Sequence, residues 1–316
     1  MPFLRKHWFL SAYLLVLAAA LAWPEPGAAG GVLHLDVLKR WCIAGIFLCA
    51  GLVLPSQKLL GAVQAWRTHA LVQGLSFILA PLLGLAVAWL AGRAGAPPAV
   101  QAGLLILACL PTTIGSCVAL TGLAGGNQGI ALVNSVLGNL LGLVATPLLV
   151  TLLVGRSGNV PVGTVIGQLA LLAALPVALG QLARLPAGAL LERHRSRIGI
   201  VSGVLLLVVL LGIFSDLARS GLGSGAVLAA AACLILHLAL AAAAWTIAAG
   251  CARADRIAVT LTASQKTAAL GIPLIGLLFA GDPALPLLLL PVVVYHIVQM
   301  IVGSLAASRL VGHANA

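Results

Sequence analysis

The sequence predicts an all-α polytopic membrane protein of ten transmembrane helices, arranged as two inverted five-helix repeats, and three observations carry that prediction. Apolar residues make up 62% of the 316 and charged residues 7%, with mean hydropathy +1.17, against roughly 45–50% and about 25% in soluble chains. Apolar runs of about 20 residues, enough to cross a hydrocarbon core of about 30 Å, recur along the whole chain. Polar interruptions enter two of these runs at equivalent places in the two halves. Only helices and closed barrels satisfy their backbone in lipid, and runs this long without alternation are helices.

In order, the expected spans are 8–23, 37–54, 68–91, 99–122, 128–154, 162–182, 197–215, 225–249, 256–279 and 284–308. The breaks between them fall where helix breakers and charge cluster: "WPEPGAAGG" after the first, "AGRAGAPP" after the third, "AGGNQG" after the fourth, "VGRSGNVP" after the fifth and "RLPAGALLERHRSR" after the sixth. Five spans on each side divide a single transmembrane domain, 1–316, into a first repeat, 1–155, and a second, 156–316. "MPFLRKHWFLSAYLLVLAAALAWPEPGAAGG" also has the basic start, apolar core and small residues of a secretory signal. Its run is long for that role, and its removal would leave nine spans.

The net charge of +11 is distributed as a topology signal rather than as a nucleic-acid footprint. With the N-terminus inside, Arg5, Lys6, Lys58, Arg67, Arg184, Arg193, Arg195, Arg197, Arg253, Arg256 and Arg309 face the cytoplasm, and Lys39, Arg40, Arg93, Arg156 and Arg219 face out. That is the positive-inside bias of a multi-pass protein with both termini cytoplasmic. The basic stretch at 184–197 lacks interleaved aromatics, so no nucleic-acid partner is expected. Compact loops rich in alanine and leucine suggest a bacterial inner membrane.

Cys42, Cys49, Cys109, Cys117, Cys233 and Cys251 lie in or beside spans without a CxxC, which suggests neither a disulfide framework nor a zinc site. There is no HExxH, GxSxG or pair of intramembrane aspartates, and "GSC" at 115–117 has no placed base. Enzymatic chemistry is therefore not expected, nor is a cofactor.

The fourth span contains "LACLPTTIGSCVALTGL", with Pro111, Thr112, Thr113, Gly115, Ser116, Cys117 and Thr121. The ninth contains "LTASQKTAALGIP", with Thr262, Ser264, Gln265, Lys266 and Thr267. Proline removes a backbone donor and glycine weakens a helix. Irregular backbone at membrane depth is tolerated only when buried in protein or lining a wet cavity. Interrupted helices at positions four and nine of ten point to a transporter with its site near the midplane, although Pro, Gly, Ser and Thr also serve simply to kink helices and pack them closely.

Other in-span polar groups are Gln73 and Ser76, Asn134, Ser135 and Asn139, and Tyr295, His296 and Gln299. Gln73 and Ser76, like His296 and Gln299, are three residues apart and share a helix face. Lone His237 reads as an interhelical hydrogen bond before a proton relay, since no acid lies in the spans to complete one.

"LPTTIGSCVALTGLAGGNQGIALVNSVLGNLLGLVATPLL" together with "LTASQKTAALGIPLIG" resembles the bile acid:sodium symporter superfamily, in particular its SBF-like branch. That resemblance implies a panel domain and a core domain, with broken helices 4 and 9 crossing in the core beside sodium sites, and transport of organic anions by sodium symport. Ser116 matches a sodium-liganding serine, Ser135 a liganding threonine and Gln265 the ninth-helix glutamine, with Ser264 beside it. Cys117 stands at an asparagine position, Ala131 at a hydroxyl position, Leu261 at the position of a glutamate that serves both sodium sites, and Lys266 at a neutral asparagine position. Sodium prefers oxygen ligands, so the ion site is reduced or altered.

Lys266 is the sharpest anomaly. The acids are Glu25, Asp36, Glu192, Asp216, Asp255 and Asp282. Along a helix Asp255 lies roughly 16 Å from Lys266 and Asp282 roughly 24 Å. An ammonium at a helix centre costs about 2.5–3.5 kcal/mol even on the mild insertion scale. Three roles are open. Lys266 is the cation that receives an anionic substrate, held by carbonyls and by Gln265, Ser116 or Asn134; or it takes the place of a lost sodium or changes protonation in the cycle; or it snorkels to an aqueous edge.

The expected function is secondary active transport of a small organic anion by alternating access, with sodium as the coupling ion that the resemblance implies. Substrate-binding candidates are Lys266, Thr112, Thr113, Asn134, His296 and Gln299; ion-binding candidates are Ser116, Ser135, Gln265 and Ser264. The alternative is a non-transporting membrane regulator of ion homeostasis or envelope assembly that keeps the same fold.

Overall fold

The computed structural model describes residues 8–53, 65–154, 162–220, 225–279 and 281–312. Arg5, Lys6, Lys58 and Arg156 of the charge tally, and the boundary between the two expected repeats, lie outside the described residues. Among the described residues the ordered elements are helices, with no strand.

The helices are α1 (Trp8–Ala22), α2 (Leu35–Val53), α3 (Trp66–Arg93), α4 (Pro98–Ala108), α5 (Gly115–Leu123), α6 (Gln128–Val154), α7 (Val162–Leu169 continuing into Leu175–Arg193), α8 (Arg195–Ser220), α9 (Gly225–Ile247), α10 (Arg253–Ser264), α11 (Ala268–Leu278) and α12 (Leu285–Gly312). Among the described residues six helical stretches are long and apolar enough to cross a membrane: Trp66–Arg93, Gln128–Val154, Ile166–Arg193, Arg195–Arg219, Gly225–Gly250 and Leu285–Leu310. The expected fourth and ninth spans are not among them because each is split, into α4 and α5 and into α10 and α11. α1 is described over only 15 residues, and α2 carries Asp36, Lys39 and Arg40 near its start.

Local chemistry sets several boundaries. Pro98 opens α4, where its missing N–H is no loss. Asn127 caps α6, its Oδ1 accepting from the N–H groups of Gly129 (3.0 Å) and Ile130 (3.2 Å). The sixth span runs further than its sequence suggests: after Pro186 the backbone leaves helical geometry at Ala187 (φ −115°, ψ 15°) and then resumes to Arg193. Proline here kinks the helix without ending it.

α3 and α7 each contain a π-helical turn, Leu75–Leu79 and Ala170–Ala174. In both, a proline follows two residues later, Pro81 and Pro176. A residue without an N–H leaves a gap in the hydrogen-bond ladder, and the wider turn accommodates it.

The chain divides into two compact units, each drawing on both halves of the sequence. One comprises α1, α2, most of α7, and α8. In it Tyr13 meets Phe214 edge to face, with ring centroids 5.5 Å apart, and Lys39 pairs with Asp216 at 3.1 Å. The C-terminal carbonyls of α2 are satisfied from α7, Gly51 O by Gln181 Nε2 (2.5 Å) and Leu52 O by an Arg184 guanidinium N–H (2.8 Å). α2 and α7 approach closely at Gly51, where a Cβ would lie 2.3 Å from the Val177 carbonyl oxygen.

The other unit contains α3 to α6 and α9 to α12. α4 packs against α3 and α12, and α9 against α10 and α12. Gly103 lets α4 approach α12, since a Cβ there would lie 2.4 Å from the Leu288 carbonyl oxygen.

Filling Gly51 forces backbone away from backbone, an overpacking cost of about 1–3 kcal/mol. Gly51→Leu is expected to lower the melting temperature of the detergent-purified protein by several degrees. Gly199→Ala, where a Cβ meets nothing within 4 Å, is expected to leave it unchanged or slightly raised.

Candidate functional site at the paired helix breaks

The two breaks face each other within the second unit. α4 ends at Ala108, and α5 starts at Gly115 beyond Pro111. α10 ends at Ser264, Gln265 (φ −91°, ψ 149°) and Thr267 (φ −88°, ψ 122°) are extended, and α11 starts at Ala268. The breaks are joined directly by the Thr267 N–H, which donates to Pro111 O at 2.8 Å.

No proline or glycine stands among Gln265, Lys266 and Thr267 to force them out of the helix. A side chain of α12 compensates the lost ladder instead. The Lys266 N–H donates to Gln299 Oε1 (2.7 Å), and Gln299 Nε2 donates to Lys266 O (3.0 Å). The amide thus engages both backbone groups of Lys266, as a neighbouring strand would. Ser264 O is accounted for as well, accepting from Tyr295 OH at 2.6 Å with His237 Nδ1 at 3.0 Å.

The Lys266 side chain is 2% exposed. Its Nζ donates to three backbone carbonyls, Leu110 O (2.8 Å), Ala108 O (3.0 Å) and Ser76 O (3.1 Å). Each of these oxygens is spare for a reason. Ala108 and Leu110 lie at the C-terminal end of α4, where carbonyls lack helical donors and the helix dipole is negative. Ser76 lies in the π-turn of α3, where the Ala80 N–H reaches back to Leu75 O instead of Ser76 O. A proline-linked irregularity in α3 therefore releases one of the three ligands of the ammonium.

Ser116, in the first turn of α5, donates to Gln265 Oε1 at 2.9 Å and shares a 2.7 Å hydrogen bond with Thr113 Oγ1. The Nε2 of the same Gln265 amide is buried with no hydrogen-bond partner. α5 has no side-chain cap, and Thr113, Gly115 and Ser116 are at least partly exposed. Behind them Cys117 Sγ donates to Thr262 Oγ1 at 3.3 Å.

The expected site residues separate into groups. Ser116 and Gln265 come together, as do Lys266, Gln299 and His296, with Gln299 Nε2 3.1 Å from His296 Nδ1. Asn134 bonds Gln73 and its own helix, and the hydroxyl of Ser135 donates to Ala131 O. Thr112 takes part through its carbonyl, which accepts from Asn139 at 2.8 Å. The carbonyls of Ser76, Ala108 and Leu110 escape a reading of side chains. Pro81, two residues beyond the π-turn, is the sequence signal that leads to Ser76.

The model of the SBF-like CPA transporter family matches residues 7–311. The chain belongs to that family. Members of the SBF-like CPA transporter family are transporters and not enzymes. Among similar proteins, the "Sodium/bile acid cotransporter 7" of Danio rerio is 30% identical over 313 residues, covering 95% of this chain and 92% of its own length. The protein of the same name from Mus musculus is 29% identical over 95% of this chain and 91% of its own. An uncharacterized protein of Pseudomonas aeruginosa is 33% identical over 84% of this chain and 81% of its own.

Removing the ammonium would strand three buried carbonyls, each costing about 1–3 kcal/mol when left without a donor. Lys266→Met is expected to destabilise the purified protein by about 3 kcal/mol or more, measured by thermal and denaturant melting. Lys266→Arg is not expected to restore stability, because a planar fork does not aim three donors as an ammonium does.

Proposed function

We propose that this chain is a secondary active transporter of a small organic anion, working by alternating access as a multi-pass protein of the inner membrane with both termini cytoplasmic. The ten-span reading, with inverted repeats over 1–155 and 156–316, is supported by the two interrupted helices. It is also supported by the composition of the units, each of which takes helices from both halves of the chain. The substrate class in the names of the animal relatives is consistent with an anion.

The observation that carries the anion reading is the unpartnered Nε2 of Gln265 beside the uncapped start of α5. An amide N–H₂ seeks an acceptor, and a helix N-terminus adds backbone N–H groups and positive potential. The hydroxyls of Thr113 and Ser116 hold the amide in place, Thr113 donating to Ser116 and Ser116 to Gln265 Oε1. Together these groups suit one anionic head group, with the rest of the solute lying outside the break.

Lys266 acts in this reading as a resident cation of an altered ion site. Its three N–H groups are committed to carbonyls, which leaves none for direct contact with an anion and is the opposite of snorkelling. The resemblance implies two sodium ions; Lys266 supplies one of those charges, and Ser116, Ser135, Gln265 and Ser264 are the oxygens left for a sodium ion. Thr112, His296 and Gln299 support the breaks, and Asn134 ties α6 to Gln73 of α3, rather than touching the solute.

A ligand that binds only the native state raises its apparent stability, by about 2.7 kcal/mol at a hundredfold excess over Kd. Thermal-shift screening of purified protein against organic monoanions, with sodium or potassium, is expected to find a stabilising anion. Gln265→Leu is expected to lose that response while still folding, and counterflow of the same anion in proteoliposomes is expected to fall with it. Absence of both stabilisation and flux would favour the non-transporting regulator.

A further inference from the structure

The orientation of the Gln299 amide follows from its partners alone. The Lys266 N–H can only donate, so it faces Oε1; the Lys266 carbonyl can only accept, so it faces Nε2. The second hydrogen of Nε2 then points at His296 Nδ1, 3.1 Å away and one helical turn earlier. That nitrogen must present a lone pair, which places the proton of the neutral ring on Nε2.

We propose that His296 Nδ1 is a proton-binding site whose occupancy releases the Lys266 segment. A proton taken from solvent onto Nδ1 sets an N–H against the N–H of Gln299 and abolishes that hydrogen bond. The amide can satisfy the imidazolium only by turning Oε1 toward it. Turning withdraws Oε1 from the Lys266 N–H and Nε2 from the Lys266 carbonyl, so one proton costs the break both of its compensating bonds. Lys266 then keeps its three carbonyls on α3 and α4 while its backbone is free to move.

The ionisable side chains on the elements packed against α12 are Cys109 after α4, Cys117 on α5, His237 and Cys233 on α9, and Lys266 itself, with Tyr295 on α12. At the far end of α12, Arg253 donates to Leu310 O. His237 cannot take the same role, because its Nδ1 faces Ser264 O, an acceptor, and already carries hydrogen. The ammonium of Lys266 opposes a second positive charge nearby, so protonation of His296 and loosening of the segment reinforce each other.

This inference leans on the transport reading only in locating the working site at the breaks, and its test needs no substrate. Hydrogen exchange of the amides of Gln265 to Thr267 is measured in the full chain in lipid nanodiscs, corrected for intrinsic rate, between about pH 8 and about pH 4, a range that extends below the one in which an exposed histidine changes charge. Acidification is expected to raise exchange about tenfold, the effect of losing one interior hydrogen bond. His296→Asn, whose Oδ1 keeps an acceptor for Gln299 but does not titrate, is expected to show no such rise. Should that variant not fold, Gln299→Glu is the second arm: its carboxylate accepts from both the Lys266 N–H and a protonated His296, so acidification is expected to slow exchange. A wild-type response surviving in His296→Asn, no response in the wild type, or an unreversed response in Gln299→Glu would overturn the proposal. Each of these outcomes is independent of whether an anion is carried.

Discussion

The interaction on which the rest depends is the seating of the Lys266 ammonium on three main-chain carbonyls. A charge buried without a counter-ion is ordinarily prohibitive. Here the protein replaces the hydration shell with fixed dipoles, matching three N–H groups to three oxygens whose own helices have no use for them. The second unit cannot move Lys266 alone without exposing oxygens on α3 and on α4. The α10–α11 break, the C-terminus of α4 and the π-turn of α3 are thereby one mechanical element.

This explains why irregularities that look unrelated along the chain lie together in space. Pro81 accompanies the π-turn that releases Ser76 O, and α4 stops at Ala108 so that its last carbonyls point inward. Gln299 repairs the backbone on the other side of Lys266, and Tyr295 with His237 repairs Ser264. Broken helices inside an apolar protein require that each orphaned group find a donor or acceptor, and α12 supplies most of them from Tyr295 to Gln299. A helix that is apolar for most of its length carries its polar residues where the neighbouring break needs them.

Much of this was legible in the sequence, for identifiable reasons. Long apolar runs and punctuation located the helices, and Pro111 with Gly115 marked the first break. The second was flagged by its polarity, because a lysine has no ordinary place in a span. Sharing of a face by His296 and Gln299 followed from their spacing. The ligands of Lys266 were hidden, since they are carbonyls of Ser76, Ala108 and Leu110, and the identity of a residue says nothing about which backbone oxygens are spare. Asn134, Ser116 and Gln265 were reasonable partners by chemistry, yet their side chains are engaged elsewhere. The continuation of α7 past Pro186 was hidden for another reason, in that a proline permits either an end or a kink.

The seating of Lys266 also reconciles two roles that looked exclusive. Carbonyl dipoles solvate the ammonium but do not cancel its charge, and among the described residues the second unit's acids, Asp255 and Asp282, lie at helix ends rather than at the break. Asp255, moreover, is engaged by Asn127. Coulomb interactions fall only as the inverse of distance and are strong where water is excluded. On the proposed reading, an anion held by Gln265 Nε2 and the start of α5 would therefore feel Lys266 without touching it. On the proposed reading, the lysine is the resident cation of the ion site and also biases the break toward anions. A mobile sodium ion would supply the same bias only while bound, whereas a covalently attached charge supplies it throughout the cycle, so on this reading selectivity for an anion does not need to be coupled to an ion gradient at all.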